Sequence, residues 1–274
     1  MVALDALQNW PVATAAAAVV GPTGVLASHG DTGCVFDLAS VTKPLVARAV
    51  QVAVEEGVIE LDTAAGPPGA TVRHLLAHAS GLAMHSAHLL AKPGTRRVYS
   101  NYGFTVLAET VQEASDIEFA RYLAEAVFEP LGMTASRLHG GAWAAGFGAS
   151  STVADLAAFA GDLLRPVTVS AQMHTEATSV QFPGLDGVLP GYGLQRPNDW
   201  GLGFEIRDAK SPHWTGAANS PRTFGHFGQS GGFIWADPVA DLALVVLTDR
   251  EFGEWALPLW PALSDAVISE YRAH

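Results

Sequence analysis

The stretch Phe36-Asp37-Leu38-Ala39-Ser40-Val41-Thr42-Lys43-Pro44 decides how the rest of the chain is read. From Val41 to about Glu56 apolar residues recur at helical spacing, and Gly57 ends the run. Ser40 is then expected as the helix N-cap, and Pro44 falls in the first turn, where a missing N–H costs little. Residues i and i+3 share a helical face, so the Lys43 amine can reach the Ser40 hydroxyl. Lysine is scarce: Lys43, Lys92 and Lys210 are the only three among 15 basic residues. A serine hydroxyl becomes a nucleophile when a neighbouring base takes its proton. Lysine can be that base only if burial or positive charge brings its pKa from about 10.4 toward roughly 7–8. The helix N-terminus adds partial positive charge beside a developing oxyanion. A plain capping serine beside a solvated lysine would look the same, and roughly 0.2 Ser-x-x-Lys tetrapeptides are expected by chance.

On the N-terminal side, Thr14 to Val20 and Val25 to His29 flank the turn Gly21-Pro22-Thr23-Gly24 and predict a hairpin. The middle of the chain predicts helices over Val72 to His78, Tyr102 to Ala114, Glu118 to Phe128 and Val153 to Leu164. The last third turns aromatic and β-branched, with strands predicted over Trp200 to Arg207, Phe224 to Phe227, Phe233 to Ala236 and Leu242 to Thr248. A closing helix follows from Phe252 to Arg272. Strands at both ends and helices between them predict an α/β fold of the α+β type. One antiparallel sheet would be built from both termini (about 1–60 and 180–274), with an inserted helical subdomain (about 61–179) and the active site in the cleft between.

Two further elements give the Ser40 segment company. Tyr99-Ser100-Asn101 is the only Tyr-x-Asn in the chain. A tyrosine near a lysine can share a proton, and an asparagine can orient both the lysine and a substrate carbonyl. His226-Phe227-Gly228-Gln229 lies on a strand beside glycines that admit a close backbone approach, where a free N–H can hold an oxyanion. Ser-x-x-Lys, then Tyr-x-Asn, then a His-initiated triplet ending in Gly resembles the serine β-lactamase and penicillin-binding-protein superfamily. The nearest branch is that of class C β-lactamases, D-alanyl-D-alanine carboxypeptidases and family VIII esterases. Leu75-Leu76-Ala77-His78-Ala79-Ser80-Gly81-Leu82 and Gly225 to Gly232 look like its later landmarks.

The resemblance implies a β-lactamase/transpeptidase-like fold and acyl transfer without a cofactor. Ser40 would attack a carbonyl, with Lys43 and Tyr99 moving its proton. Asn101, His226, Phe227, Gly228 and Gln229 would contact the substrate, the amides of Ser40 and Gln229 holding the oxyanion. Phe227 departs from the family pattern, which usually has a hydroxyl residue there to help bind a substrate carboxylate. That tilts the expectation from β-lactamase, carboxypeptidase or D-aminopeptidase towards an esterase or amidase on a small acyl substrate. A catalytically silent ligand- or partner-binding relative is the alternative of another class.

Other motifs compete less well. Gly228-Gln229-Ser230-Gly231-Gly232 matches the Gly-x-Ser-x-Gly elbow, but a strand follows it and the only later histidine is His274. His74, His78, His85 and His88 cluster, yet Leu75 stands where a zincin has glutamate, so no metal is expected and His78 reads as a packed helix-end residue. Trp200, Trp214 and Trp235 read as core more readily than as cleft lining. Cys34 is the only cysteine, which excludes an internal disulfide. A net charge of −12 disfavours nucleic acid and anionic membranes as partners and leaves a small ester or amide as the expected one. With no Lys or Arg before Lys43 and no long apolar run, a cytoplasmic location is expected; oligomeric state is not legible.

Overall fold

The computed structural model describes residues 2–272. In chain order the elements are β1 (Ala15–Gly21), β2 (Gly24–His29), β3 (Val35–Asp37), α1 (Thr42–Glu55), α2 (Val72–Leu76), α3 (Asn101–Ser115) and α4 (Phe119–Leu123). There follow β4 (Arg137–Leu138), β5 (Ala149–Thr152), α5 (Val153–Leu164), α6 (Ala171–Ala177), β6 (Gly187–Leu189) and β7 (Gly193–Gln195). The chain closes with β8 (Glu205–Ile206), β9 (Phe224–Phe227), β10 (Phe233–Asp237), β11 (Leu242–Thr248) and α7 (Ala256–Tyr271). Among the described residues, no helix is long and apolar enough to cross a membrane.

Both ends of the chain meet in one six-stranded antiparallel sheet of order β2-β1-β11-β10-β9-β8. Its central strands, Ala-Ala-Ala-Ala-Val-Val-Gly and Leu-Ala-Leu-Val-Val-Leu-Thr, are apolar on both faces because both faces are covered. Ala16, Ala18, Val245 and Leu247 pack with Leu156, Phe159 and Leu163 of α5. Ala17, Val19, Leu244 and Val246 pack with Trp260, Leu263 and Val267 of α7. Each such fully buried branched side chain contributes about 1.5–3 kcal/mol. The middle stretch 61–179 thus supplies, through α5, one of the layers that cover the sheet, besides α3 and α4, which pack against α1, and α2, which packs against α3.

The structure shortens four predicted elements, among them the helix expected over Val72 to His78, which ends at Leu76. The strand expected over Trp200 to Arg207 keeps only Glu205–Ile206. Its first half spends its hydrogen bonds elsewhere: Leu202 N–H donates to Ala177 O at the end of α6, and Gly203 N–H to Leu76 O at the end of α2. The helix expected to Phe128 is α-helical only to Leu123, then makes one wider turn over Ala124–Phe128. The closing helix begins at Ala256, not Phe252.

The β9–β10 turn is held by a close approach. Gly231 has φ +95°, and a Cβ there would lie 1.8 Å from Arg250 O. Gly231→Ala is therefore expected to destabilise the fold by more than about 1 kcal/mol. A urea midpoint equal to that of the unchanged protein would contradict this packing.

Candidate active site

Ser40 is not the helix cap. Ala39–Val41 forms a 3₁₀ turn leading into α1, entered through Ala39 at a left-handed φ of 43°. A non-glycine residue there stores strain of about 1–3 kcal/mol. The small sheet beside it over-determines the turn: Leu38 N–H donates to Ala149 O at 2.9 Å, and Ala149 N–H donates to Thr42 Oγ1 at 3.0 Å. The Ser40 hydroxyl is left facing Lys43 Nζ at 3.1 Å and the Tyr99 hydroxyl at 2.8 Å.

Lys43 is wholly buried, and burial pushes its pKa well below the usual lysine value. Among the described residues it has no ion-pair partner, and its closest contacts besides Ser40 are the carbonyl oxygens Asn101 Oδ1 at 2.6 Å and Gly146 O at 2.7 Å. A neutral amine has two N–H groups, and these two acceptors use both. As an ammonium Lys43 also donates to Ser40 Oγ, and once it loses a proton the lone pair left faces Ser40 and can accept the serine O–H; the Tyr99 O–H donates to Ser40 Oγ. Burial raises the Tyr99 pKa far above the usual phenol value, with the Ser40 hydrogen bond opposing, so the phenol stays protonated.

Each remaining partner is fixed by its own element. Ser100 caps α3, its hydroxyl accepting from Gly103 N–H at 2.9 Å, which sets Tyr99 just before the helix and Asn101 in its first turn. Buried Arg97, two residues earlier, donates to the carbonyls of Ala77 (2.6 Å), Gln181 (2.8 Å) and Asn198 (3.0 Å), tying three loops to the approach. His226 on β9 is buried, and burial, with Lys43 nearby, pushes its pKa down to about 3. The neutral ring donates from Nδ1 to Phe227 O at 2.6 Å and leaves Nε2 toward the Tyr99 hydroxyl at 3.4 Å. Gly228 lies against the nucleophile turn, since a Cβ there would be 2.3 Å from Leu38 O. Gln229 is tied to the following loop, accepting from Phe252 N–H at 2.8 Å and donating from Nε2 to Phe252 O at 3.1 Å.

These residues converge on a small pocket lined by Ser40, Tyr99, His226, Phe227 and Gln229, closed by Met84, Leu189, Pro190, Trp200 and Glu205. Lys43 and Asn101 stand behind Ser40. Trp200 is thus a pocket wall, against expectation, while Trp214 and Trp235 are core. Sequence reading also misses Glu205, Lys210 and His213. The buried Glu205 accepts from His213 Nε2 and Trp214 Nε1, both at 2.8 Å, and pairs with the Lys210 ammonium. The scarcity that drew notice to Lys43 applied equally to Lys210. Ser230 is a buried turn hydroxyl without a partner among the described residues, followed by β10 rather than a helix, and His274 lies outside the described residues. Among the described residues no three metal-ligand side chains gather.

Comparison with known proteins shows the family. A family model described as beta-lactamase matches residues 12–266. The chain belongs to the beta-lactamase family. Its superfamily is that of the beta-lactamase and penicillin-binding-protein-like serine hydrolases. A beta-lactamase of Mycobacterium bovis is 78% identical, with TM-score 0.98 over 99% of this chain and 100% of that one. Penicillin-binding protein 4* of Bacillus subtilis is 28% identical over 141 residues, which is 39% of this chain and 31% of that protein. The chain spans less than half the length of the curated relatives it matches. A mutant simvastatin synthase of Aspergillus terreus shares the fold at 17% identity, with TM-score 0.79 over 97% of this chain and 96% of that one.

Proposed function

We propose that this beta-lactamase family member is an esterase or amidase that forms an acyl-enzyme on Ser40 and takes small, uncharged, apolar acyl groups. The observation that carries the substrate class is the pocket wall. It offers Met84, Leu189, Pro190, Trp200 and Phe227, no lysine or arginine, and the carboxylate of Glu205. A substrate carboxylate would lose water there and gain no cation. Phe227, 7% exposed, packs its ring against Phe252 and Trp260, so it offers neither a hydroxyl nor room for one.

In the proposed reaction Ser40 Oγ bonds to the carbonyl carbon as its proton passes to Lys43 Nζ. The oxyanion is held by the amides of Ser40 and Gln229, and the turn's own hydrogen bonds run from Gly228 and Gly231, not from Gln229. The C–O or C–N bond to the leaving group breaks as that group takes a proton from Lys43 through Tyr99. Water then adds to the acyl carbon as its proton passes to Lys43, the bond between that carbon and Ser40 Oγ breaks, Lys43 returns the proton to Ser40, and the acid leaves. Asn101 Oδ1 holds the lysine.

A β-lactamase activity is the second reading, supported by the name of the Mycobacterium bovis relative. The test is to expose the protein to a fluorophosphonate and to benzylpenicillin, weigh it intact, and map any adduct. p-Nitrophenyl butyrate and a chromogenic cephalosporin are assayed beside it. The expected outcome is a phosphonyl adduct on Ser40 and a kcat/KM for the ester well above that for the cephalosporin. Faster cephalosporin turnover would favour the second reading, and no adduct with either reagent would favour a silent binding relative.

A further inference from the structure

Directly behind Tyr99 sits a buried group that the proposed reaction does not use. His78 follows α2 at a left-handed φ of 53°, a region that histidine enters more readily than most residues. It is 1% exposed. Its carbonyl accepts from Val98 N–H at 2.8 Å, and its Nδ1 accepts from Ser100 N–H at 3.2 Å. One residue therefore holds the chain on both sides of Tyr99. Its ring lies 4.5 Å from the Tyr99 ring, and on other sides it meets Trp200 at 4.6 Å and Phe104 at 5.4 Å.

The imidazole can do this only while neutral. Nδ1 accepts an N–H, so the ring proton is on Nε2, which has no oxygen or nitrogen partner among the surrounding rings. A protonated ring would turn Nδ1 into a donor facing the Ser100 donor. Burial, and then the neighbouring Lys43, His226 and Arg97, push its pKa well below the usual histidine value, in the direction that this hydrogen bond requires. Ser100 is also the cap of α3, so the same contact fixes where Asn101 presents its oxygen to Lys43.

We propose that His78 is a positioning residue, which sets the Tyr99 hydroxyl against Ser40 by accepting the Ser100 amide and backing the Tyr99 ring. The proposal rests on the reading of Ser40 as the acylated nucleophile. Two variants separate its parts. His78→Phe keeps a ring and leaves the Ser100 amide without an acceptor. His78→Asn supplies a side-chain oxygen and tolerates the left-handed backbone. The readouts are the rate of Ser40 phosphonylation by intact mass and the kcat and KM for p-nitrophenyl butyrate, each per folded molecule by near-UV circular dichroism.

Misplacement of a catalytic group by about 1 Å costs up to about 100-fold. His78→Phe is accordingly expected to lower kcat and the labelling rate by about 10- to 100-fold, with KM within about twofold, and His78→Asn to stay within about fivefold of the unchanged protein. Where His78→Phe does not fold, His78→Leu carries the same expectation. A folded His78→Phe or His78→Leu protein labelled at the unchanged rate overturns the positioning role, as does an Asn variant no faster than either. If the unchanged protein itself is not labelled at Ser40, the acyl-enzyme reading falls, and this proposal with it.

Discussion

Lys43→Met is expected to slow acylation of Ser40 by about 10²–10⁴-fold, the range supplied by a positioned general base. KM should change little, because Lys43 stands behind Ser40 and does not line the pocket. Ser40→Ala should leave no covalent adduct at all. The lysine variant is the more informative of the two, because it keeps the nucleophile and removes only the group that takes its proton. In the unchanged protein acylation rises with pH as Lys43 loses its proton, and this limb lies below the ordinary lysine range because burial lowers the Lys43 pKa. The variant should lose the limb. Time courses of fluorophosphonate labelling across pH measure both effects, and labelling of Lys43→Met at the unchanged rate would remove Lys43 from the mechanism.

The same burial has a sign in stability. With a folded pKa below the unfolded value of about 10.4, the unfolded chain binds more protons across that interval, so stability rises with pH up to about 10.4. Lys43→Met should flatten this dependence. Its stability relative to the unchanged protein is therefore highest at neutral pH and declines as the pH rises. Urea denaturation at neutral and alkaline pH reads the difference.

Glu205→Gln is expected to destabilise the fold by about 3–5 kcal/mol, the cost of leaving one member of a buried ion pair alone. The orphan would be Lys210, whose ammonium is buried against Glu205 and also donates to Asp199 O at 2.7 Å. For a chain of this size that is a fall in melting temperature of about 10 °C. Burial alone would push the Glu205 carboxyl up, but His213 and Lys210 hold it down at about 2. A depressed carboxyl stabilises fully above its unfolded pKa of about 4.3, and that contribution is lost as the pH falls toward about 2. The gap between Glu205→Gln and the unchanged protein should thus be widest near neutrality and close in that acid window. A melting temperature lowered by less than about 2 °C at neutral pH would show that the cluster does not hold β8 in place.

Elements whose cause is local were legible. The strands β1 and β11 announce themselves as apolar runs with turn residues beside them, and α1, α3 and α5 as periodic segments of 14, 15 and 12 residues. The order Ser40, Lys43, Tyr99, Asn101, His226 was readable because their motifs together resemble those of a known family. The failures share a cause as well. Trp200 to Phe204 has strand composition, yet its amides found carbonyls at the ends of two helices, and no propensity encodes such distant acceptors. Ser40 has the composition of a cap, but the small sheet pulled its turn into a tighter form.

By itself the sequence determined which residue types could do the chemistry, in what order, and that both chain ends build one sheet. The elements follow from spacing and periodicity within a few residues, and the order of the site residues from the resemblance of their motifs to the family. Only the tertiary structure decided that Lys43 faces two carbonyl oxygens and no carboxylate, that Gly146 is one of them, and that Phe227 and Trp200 wall an apolar pocket beside a buried Glu205. Desolvation, lone-pair direction and pocket polarity depend on atoms brought together from positions far apart in the chain. The linear order of residues does not state them until the sheet has closed over α1.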